Sequence, residues 1–476
     1  MSGQFMLNGQ VQAAAPRPQL LIDVLRAQQR LTGSKAACGE GECGSCQVLV
    51  KHPGERVFRS QLSCMLRVQD VSAAHVLTIE ALPLPNPLQR VLADAGASQC
   101  GYCSPGLVMA CVHWLLHGPE LSVAEGCRWI NGNLCRCTGY MGQRRALSAL
   151  VDAFAAVLLG SSDRLGELIR LGLLPECAGA VCQPEPGAGE QREQSEHLAA
   201  VVSGGPLVAG GTDLYLQQNM ATVVGPSLLR ARGSGAVRRT DDGYAISARH
   251  DLEVIAAELA RMNAFTVFAS FVRGFASLPI RNRATLGGNL AHASPVADGI
   301  TLLLAVDARI ETDQRRVAIH ELYPGYKQTC LRPGEIIEWI HVPSWVDQQH
   351  GYFDKVCRRP TTDIAAVNMA SSWQVVDNHV LAVSLACGGA SAMPLRLTAI
   401  ERALEGADLD HDIDPAIESV LQSLVTPISD IRGGAEYRRI LVRQLLRAHW
   451  LALQSDARNW RRLKGNERRA GEGSAH

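Results

Sequence analysis

The chain has few aromatic residues: Phe, Trp and Tyr make up 5% of its 476 positions. Without them there is no basis for the stacking platforms that hold single-stranded nucleic acid. Charge of one sign is missing as well. Lys+Arg and Asp+Glu each number 46, so the formal net charge is zero and offers no footprint for nucleic acid or an anionic membrane. No long hydrophobic run occurs. The longest, at residues 149–160, carries Asp152 and falls short of the roughly 20 residues that span a bilayer, so a core helix is expected there. Residues 1–10 show no charged stretch followed by an apolar one, which argues against a secretory leader and for a cytoplasmic location.

Cysteine, by contrast, is plentiful, with 15 in the chain. In a cytoplasmic setting such a number argues against a disulfide framework and for metal ligation. At 47% hydrophobic and 19% charged residues, the composition is otherwise that of an ordinary soluble protein. The length suggests about two to four domains. Ten cysteines precede residue 140, and eight of those fall in two tight groups.

Organisation along the chain points to a multidomain α+β protein. Residues 1–82 read as short strands and turns, with strand-like runs at 47–50 and 76–79. A proline-rich step at 82–87 leads into residues 83–160, where apolar positions recur at helical spacing. Residues 161–200 form a linker, almost devoid of apolar side chains between 183 and 197. From 201 to 345 the pattern is α+β: a strand at 207–209, a helix near 251–262 and a glycine-rich stretch at 285–299. A further block, 346–460, holds a strand at 382–386 and a helix at 437–451, and 461–476 reads as a frayed tail.

Cys38, Cys43, Cys46 and Cys64 give C-x4-C-x2-C…C, the plant-type ferredoxin spacing for a [2Fe–2S] cluster. Glycines at 39, 41 and 44 supply the backbone freedom a loop needs to wrap a cluster and aim N–H groups at its sulfurs. The same loop formally spells GxGxxG, but no buried strand precedes it and cysteines interrupt it, so the dinucleotide reading is rejected. Cys100, Cys103, Cys135 and Cys137 form a C-x2-C and a C-x-C pair, and the tight C-x-C suits two ligands on one iron. The alternative for either group is structural zinc, for which paired knuckles are the usual pattern.

The strings LTGSKAACGEGECGSC, QCGYCSPG and GNLCRCTGY resemble the iron–sulfur domains of the molybdenum hydroxylases, the xanthine dehydrogenase/aldehyde oxidase family. The resemblance covers residues 1–155 and implies a β-grasp ferredoxin domain (1–82) followed by a four-helix [2Fe–2S] domain (83–160). It also implies that Cys137 and Gln99 face the molybdopterin of a partner chain. The run Gly139-Tyr140-Met141-Gly142-Gln143 departs from the family's usual sequence after the last cysteine.

Further on, Leu207-Val208-Ala209-Gly210-Gly211-Thr212-Asp213-Leu214 reads as a strand ending in a Gly-Gly turn whose N–H groups could meet a pyrophosphate. This run and residues 284–298 are similar to the two FAD motifs of the same family's flavin domain. The resemblance implies that residues 207–214 wrap the pyrophosphate, and that Thr285, Asn289 and Asp298 hold the ribityl, phosphate and adenosine side. Phe275 and Ala276 match FAD contacts, and Lys355 matches a lysine that approaches the flavin. Residues 360–365 are similar to a segment near the family's NAD site, with Thr361 and Thr362 where that segment is more acidic.

The other cysteines (111, 127, 177, 182, 330, 357 and 387) are expected in cores, and His113 and His117 are expected as ordinary surface or core residues. The order of parts resembles the small chain of a two-subunit bacterial enzyme of the xanthine dehydrogenase type. The resemblance implies an electron-transfer role with no catalytic residue in this chain. Electrons would come from a molybdopterin-binding large subunit, through two [2Fe–2S] clusters, to FAD and then NAD, in a heterotetramer of about two small and two large chains. The remaining alternatives are another molybdenum hydroxylase acting on aldehydes or N-heterocycles, and a zinc-stabilised binding scaffold.

Overall fold

Strand β3, Gln47–Lys51, is buried at all five positions, and its alternating side chains enter two different cores. Val48 and Val50 pack with Phe5, Leu21, Leu25 and Val76. Leu49 points the other way, into a core with Leu107, Trp114, Leu115 and Leu150 from the helices that follow. Because successive strand side chains project to opposite faces, one strand joins two modules without a linker.

The computed structural model describes residues 4–13, 18–55, 57–180, 207–217, 230–359 and 361–472, and side chains up to Asp456. Of the linker expected at 161–200, residues 181–200 lie outside the described residues, Cys182 among them, whereas residues 161–180 carry the helix Arg164–Arg170 and bury Leu168, Leu173, Leu174 and Ala178 in the helical core. Two compact units form. The first comprises residues 1–233, 251–253 and 276–285, and the second 234–250, 254–275 and 286–476.

In the first unit, β1 (Gln4–Leu7), β2 (Gln10–Ala13), β3, β4 (Arg59–Leu62) and β5 (His75–Leu77) make a sheet of order β2-β1-β5-β3-β4. The β1–β5 pairing is parallel and the others are antiparallel, the arrangement of a β-grasp ferredoxin fold. Helices Pro87–Asp94, Ser104–His117, Val123–Trp129 and Met141–Leu159 follow it. Their starts are chemically marked. Asn86 accepts hydrogen bonds from the N–H groups of Leu88 and Gln89 ahead of Pro87, and Ser122 accepts one from Glu125. The helix Ser104–His117 is buried at nearly every turn, so its sequence is apolar all round. His113 lies inside it, its ring 5.3 Å from that of His117 and 4.8 Å from that of Trp129. His113 is a core residue and His117 is half-buried at the helix end. Burial holds the His117 imidazole down at about 4.

The second unit contains two antiparallel sheets. One has the order β6-β7-β10-β8-β9, built from β6 (Val237–Thr240), β7 (Gly243–Ser247), β8 (Arg309–Thr312), β9 (Arg316–Ala318) and β10 (Ile337–Pro343). The other has the order β11-β12-β13-β14, from β11 (His350–Val356), β12 (Val367–Val376), β13 (His379–Gly388) and β14 (Leu395–Arg396). Trp373, Leu385, Ile400 and Leu404, with Leu446 and Trp450 of the final helix, fill the core over this second sheet.

Three further sequence expectations change. Residues 207–210 form no strand, because Gly210 lies flat against the backbone of Arg283 and Ala284 instead of pairing in a ladder. The glycine-rich stretch holds two helices, Leu286–His292 and Asp298–Ala305. The expected frayed tail continues the helix Ala435–Glu472, whose Arg, Leu, Lys and Glu content favours helix.

In the first unit the backbones of Gly106 and Gly44 meet so closely that a Cβ on Gly106 would lie 2.0 Å from the Gly44 carbonyl oxygen. Gly106→Ala should therefore destabilise the chain by about 1–3 kcal/mol. Gly274→Ala, with nothing within 4 Å of the new methyl, should change little. Chemical denaturation of both variants checks this contrast.

Candidate cofactor sites

In the loop that carries Cys38, Cys43 and Cys46, Gly39, Gly41 and Gly44 have φ of 72°, 77° and 70°, a conformation that turns successive N–H groups inward. Cys38 Sγ accepts from the N–H groups of Glu40, Glu42 and Cys43, the first at 3.4 Å, and Cys64 accepts from Gly41. The sulfurs fall into pairs: Cys46 and Cys64 lie 3.2 Å apart, and Cys38 hydrogen-bonds Cys43. That bond, with N–H donation from Ser45, holds Cys43 down at about 5 despite burial. Two sulfurs beside two sulfurs is a donor set for two irons. The set fits a [2Fe–2S] cluster.

The second group also pairs. Cys103, at the N-cap of the helix Ser104–His117, hydrogen-bonds Cys135, and Cys100 hydrogen-bonds Cys137. These contacts run across the two segments. Thr138 Oγ1 donates to Cys135 Sγ at 3.2 Å, and the Cys135 N–H donates to Tyr140 Oη at 3.2 Å. Cys46 and Cys64 are buried, whereas Cys100 and Cys137 are exposed. This group fits a cluster with one edge open to the surface.

Three contacts that sequence reasoning missed join the two cysteine groups. Leu134 N–H donates to the Cys43 carbonyl at 3.0 Å, Asn133 Nδ2 donates to the Gly44 carbonyl at 3.3 Å, and Tyr102 Oη donates to the Ala36 carbonyl at 2.6 Å. Each donor stands within two residues of a cysteine in its own segment, a signal that was present in the sequence.

The expected flavin residues fall in both units. In the first, Leu207, Val208, Ala209, Gly210, Gly211, Thr212, Asp213 and Leu214 form an irregular segment leading into the helical turn Leu214–Gln217. A Cβ on Gly210 would lie 2.1 Å from the Arg283 carbonyl oxygen, and Gly211 has φ of 68° above Tyr215. Arg283 Nε donates to the Gly210 carbonyl at 3.0 Å. Thr285 is buried and pairs with Asp251 through an isolated antiparallel bridge. Ala276 sits at φ 44°. A small, bare turn of this kind fits the backbone-only approach of a phosphate.

In the second unit Phe275 packs 5.4 Å from the Phe271 ring. Asn289 Oδ1 is buried with no partner among the described residues, and a Cβ on Gly299 would fall 2.5 Å from it. This orphaned acceptor fits a polar ligand. Asp298 and Lys355, expected to face a cofactor separately, are joined: Lys355 Nζ is 2.8 Å from Asp298 Oδ2 and 3.1 Å from the Gly274 carbonyl. Asn368, which the sequence did not single out, is the hub beneath them. It donates to Asp298 Oδ1 at 2.5 Å and to the Val296 carbonyl at 3.1 Å, and accepts from Thr301 Oγ1 and the Gly388 N–H. An amide between Val367 and Met369 in a buried strand was the available clue. Near residues 360–365, Asp363 accepts from the N–H groups of Arg358 and Arg359, and Pro360 lies outside the described residues. Cys111 and Cys387 are core residues, Cys127 and Cys177 pack against the helical core, Cys330 lies beside Arg315, and Cys357 donates to the Arg359 carbonyl.

Asn368→Ala would remove four hydrogen bonds, three of them buried, and should cost about 3 kcal/mol. Gln422→Ala, on the exposed face of the helix Pro415–Leu424, should cost little. Denaturant midpoints for the two variants provide the check.

Four protein-family models match successive parts of the chain. They are a 2Fe-2S iron-sulfur cluster binding domain over residues 5–69, a [2Fe-2S] binding domain over 78–148, the FAD binding domain in molybdopterin dehydrogenase over 190–345, and the CO dehydrogenase flavoprotein C-terminal domain over 352–453. The xanthine dehydrogenase of Drosophila subobscura is 26% identical, aligned over 96% of this chain and 40% of that protein. The nicotinate hydroxylase of Emericella nidulans is 25% identical over 94% of this chain and 40% of its own length. The chain thus spans about 40% of the length of these relatives. Among solved structures, the CO dehydrogenase of Oligotropha carboxidovorans shares 21% identity with a TM-score of 0.47, over 53% of this chain and 92% of the matched one. Two [2Fe–2S] domains, an FAD-binding domain and a flavoprotein C-terminal domain in this order indicate the iron–sulfur and FAD part of a molybdenum hydroxylase.

Proposed function

We propose that the chain is the electron-transfer part of a xanthine dehydrogenase, working with a partner chain that binds molybdopterin and with NAD as acceptor. The overall reaction would convert xanthine, water and NAD⁺ into urate, NADH and a proton. The observation that carries the reading is the pair of two-plus-two cysteine nests joined by the Leu134–Cys43 and Asn133–Gly44 hydrogen bonds. When bound, [2Fe–2S] clusters exchange single electrons and FAD combines them into two-electron transfer.

This chain's own residues hold and tune. Cys38 and Cys43 would take one iron of the first cluster and Cys46 and Cys64 the other, with N–H groups from the glycine-rich loop stabilising the thiolates. Cys103 with Cys135, and Cys100 with Cys137, would divide the second cluster likewise, and its exposed edge would face the molybdopterin chain. Residues 207–214 and Thr285 would hold the FAD phosphates, while Asn289, Asp298 and Lys355 would meet its remaining polar groups. The xanthine assignment is supported by the alignment with xanthine dehydrogenases over nearly the whole chain. Hydroxylation of an N-heterocycle is the second reading, favoured by the similar coverage of nicotinate hydroxylase.

Co-purification of the chain with its partner, followed by iron, sulfide, flavin and pterin analysis, tests the cofactor assignment. Iron and sulfide at about four each per chain are expected. Zinc in their place would leave only a binding scaffold. Turnover of xanthine but not nicotinate or aldehydes is the expected outcome, and the reverse preference would move the enzyme to another substrate. In the same preparation, Cys43→Ser and Cys137→Ser should each abolish one, and a different one, of two paramagnetic signals in the reduced protein.

A further inference from the structure

The short turn Val68–Val71, which begins four residues after Cys64, is capped by a buried ion pair. Arg67 Nη2 lies 3.0 Å and its Nε 3.3 Å from Asp70 Oδ1, and the Arg67 N–H donates to Asp70 Oδ2 at 3.0 Å. A second guanidinium shares that carboxylate: Arg283 Nη2 lies 3.4 Å from Asp70 Oδ2. Arg283 is only 2% exposed, its Nε holds the Gly210 carbonyl, and its Nη1 has no partner among the described residues. Arg67 lies over the Tyr215 ring at 5.2 Å. A buried guanidinium thus keeps one open edge directly behind the Gly210–Gly211 turn. Such an edge is costly unless an acceptor or an anion approaches it. Burial and the neighbouring Arg230 both hold Arg283 below the usual arginine range, which marks a charge that would gain from a further anion. The apolar side agrees, since Cys46, Cys64 and Met65 share one small core with Val208, Leu214 and Tyr215.

We infer that Arg67, Asp70 and Arg283 form a positioning triad that sets the Gly210–Gly211 turn for the pyrophosphate of FAD and ties that turn to the segment bearing Cys64. Arg283 acts through the Gly210 carbonyl and by the positive charge of its open edge. Asp70 aligns Arg283 and anchors it to the cluster-bearing turn. The inference rests on the flavin reading above and adds a linkage to it: by reciprocity, whatever displaces the Cys64 turn weakens the hold on FAD, and FAD stiffens that turn.

The test uses the full chain, purified anaerobically with both clusters and then stripped of flavin. FAD is titrated back by fluorescence quenching, with riboflavin as a flavin that lacks phosphate and inorganic pyrophosphate as competitor. Arg283→Met should raise the FAD dissociation constant roughly 10- to 100-fold, leave riboflavin binding unchanged and abolish competition by pyrophosphate. Arg283→Lys, which keeps the charge without the fork, should recover part of the loss. Asp70→Asn supplies a variant outside the flavin motifs and should also weaken FAD without weakening riboflavin. Iron content and visible absorption confirm that each variant is folded around its clusters. FAD binding unaltered in the folded variants, or FAD and riboflavin weakened equally, would overturn the triad. An unmodified chain that takes up no FAD would instead overturn the flavin reading itself.

Discussion

The contact on which the first unit depends is the meeting of two glycines. Gly44 belongs to the loop of the first cysteine group and Gly106 to the helix opened by Cys103, and no side chain fits between them. Bare backbone allows the Cys43 and Gly44 carbonyls to accept from Leu134 and Asn133. Separation between redox centres governs electron transfer, and separation here is fixed by hydrogen bonds and a shared strand, neither of which has the reach of a flexible linker. Alternation along β3 does the rest, since Val48 and Val50 close one core while Leu49 closes the other.

The difference in exposure between the two cysteine groups follows from that packing. Cys46 and Cys64 are buried with Leu62, Met65 and Val208, a surrounding of low polarity. Cys100 and Cys137 remain at the surface, two and three residues before the exposed Tyr102 and Tyr140. Hydrogen bonds to sulfur and solvent exposure are both levers on the potential of an iron–sulfur cluster. The first group has more N–H donors and less water, and the second the reverse. Two chemically similar sets of thiols are therefore not equivalent sites.

Much of this was legible in the sequence where a spacing dictates chemistry. C-x4-C-x2-C with glycines between the cysteines leaves few conformations open, and the loop has the positive φ values such a sequence favours. The strand-like run at 47–50 lies within β3, while that at 76–79 is strand only to Leu77, since Ile79 already opens a 3-10 turn. Legibility failed where partners are distant in sequence. The spacing alone did not reveal that Cys135 neighbours Cys103 and Cys137 neighbours Cys100, each more than 30 residues away. Residues 207–209 looked like a strand because a short apolar run runs into a Gly-Gly turn, but the tertiary contact of Gly210 with Arg283 takes precedence over local pattern.

Buried charge was the least legible feature, and it shows how the flavin motifs are supported. Lys355 and Asp298 look, taken singly, like two groups awaiting a ligand. In the folded chain they compensate one another, and Asn368 saturates the carboxylate from below. Neutralised in this way, the pair can be buried without a cofactor. The Arg67–Asp70–Arg283 group is built on the opposite principle: two guanidinium groups share a carboxylate, and Arg283 keeps an open edge. A balanced pair suits uncharged, hydrogen-bonding groups, and an open guanidinium suits an anion.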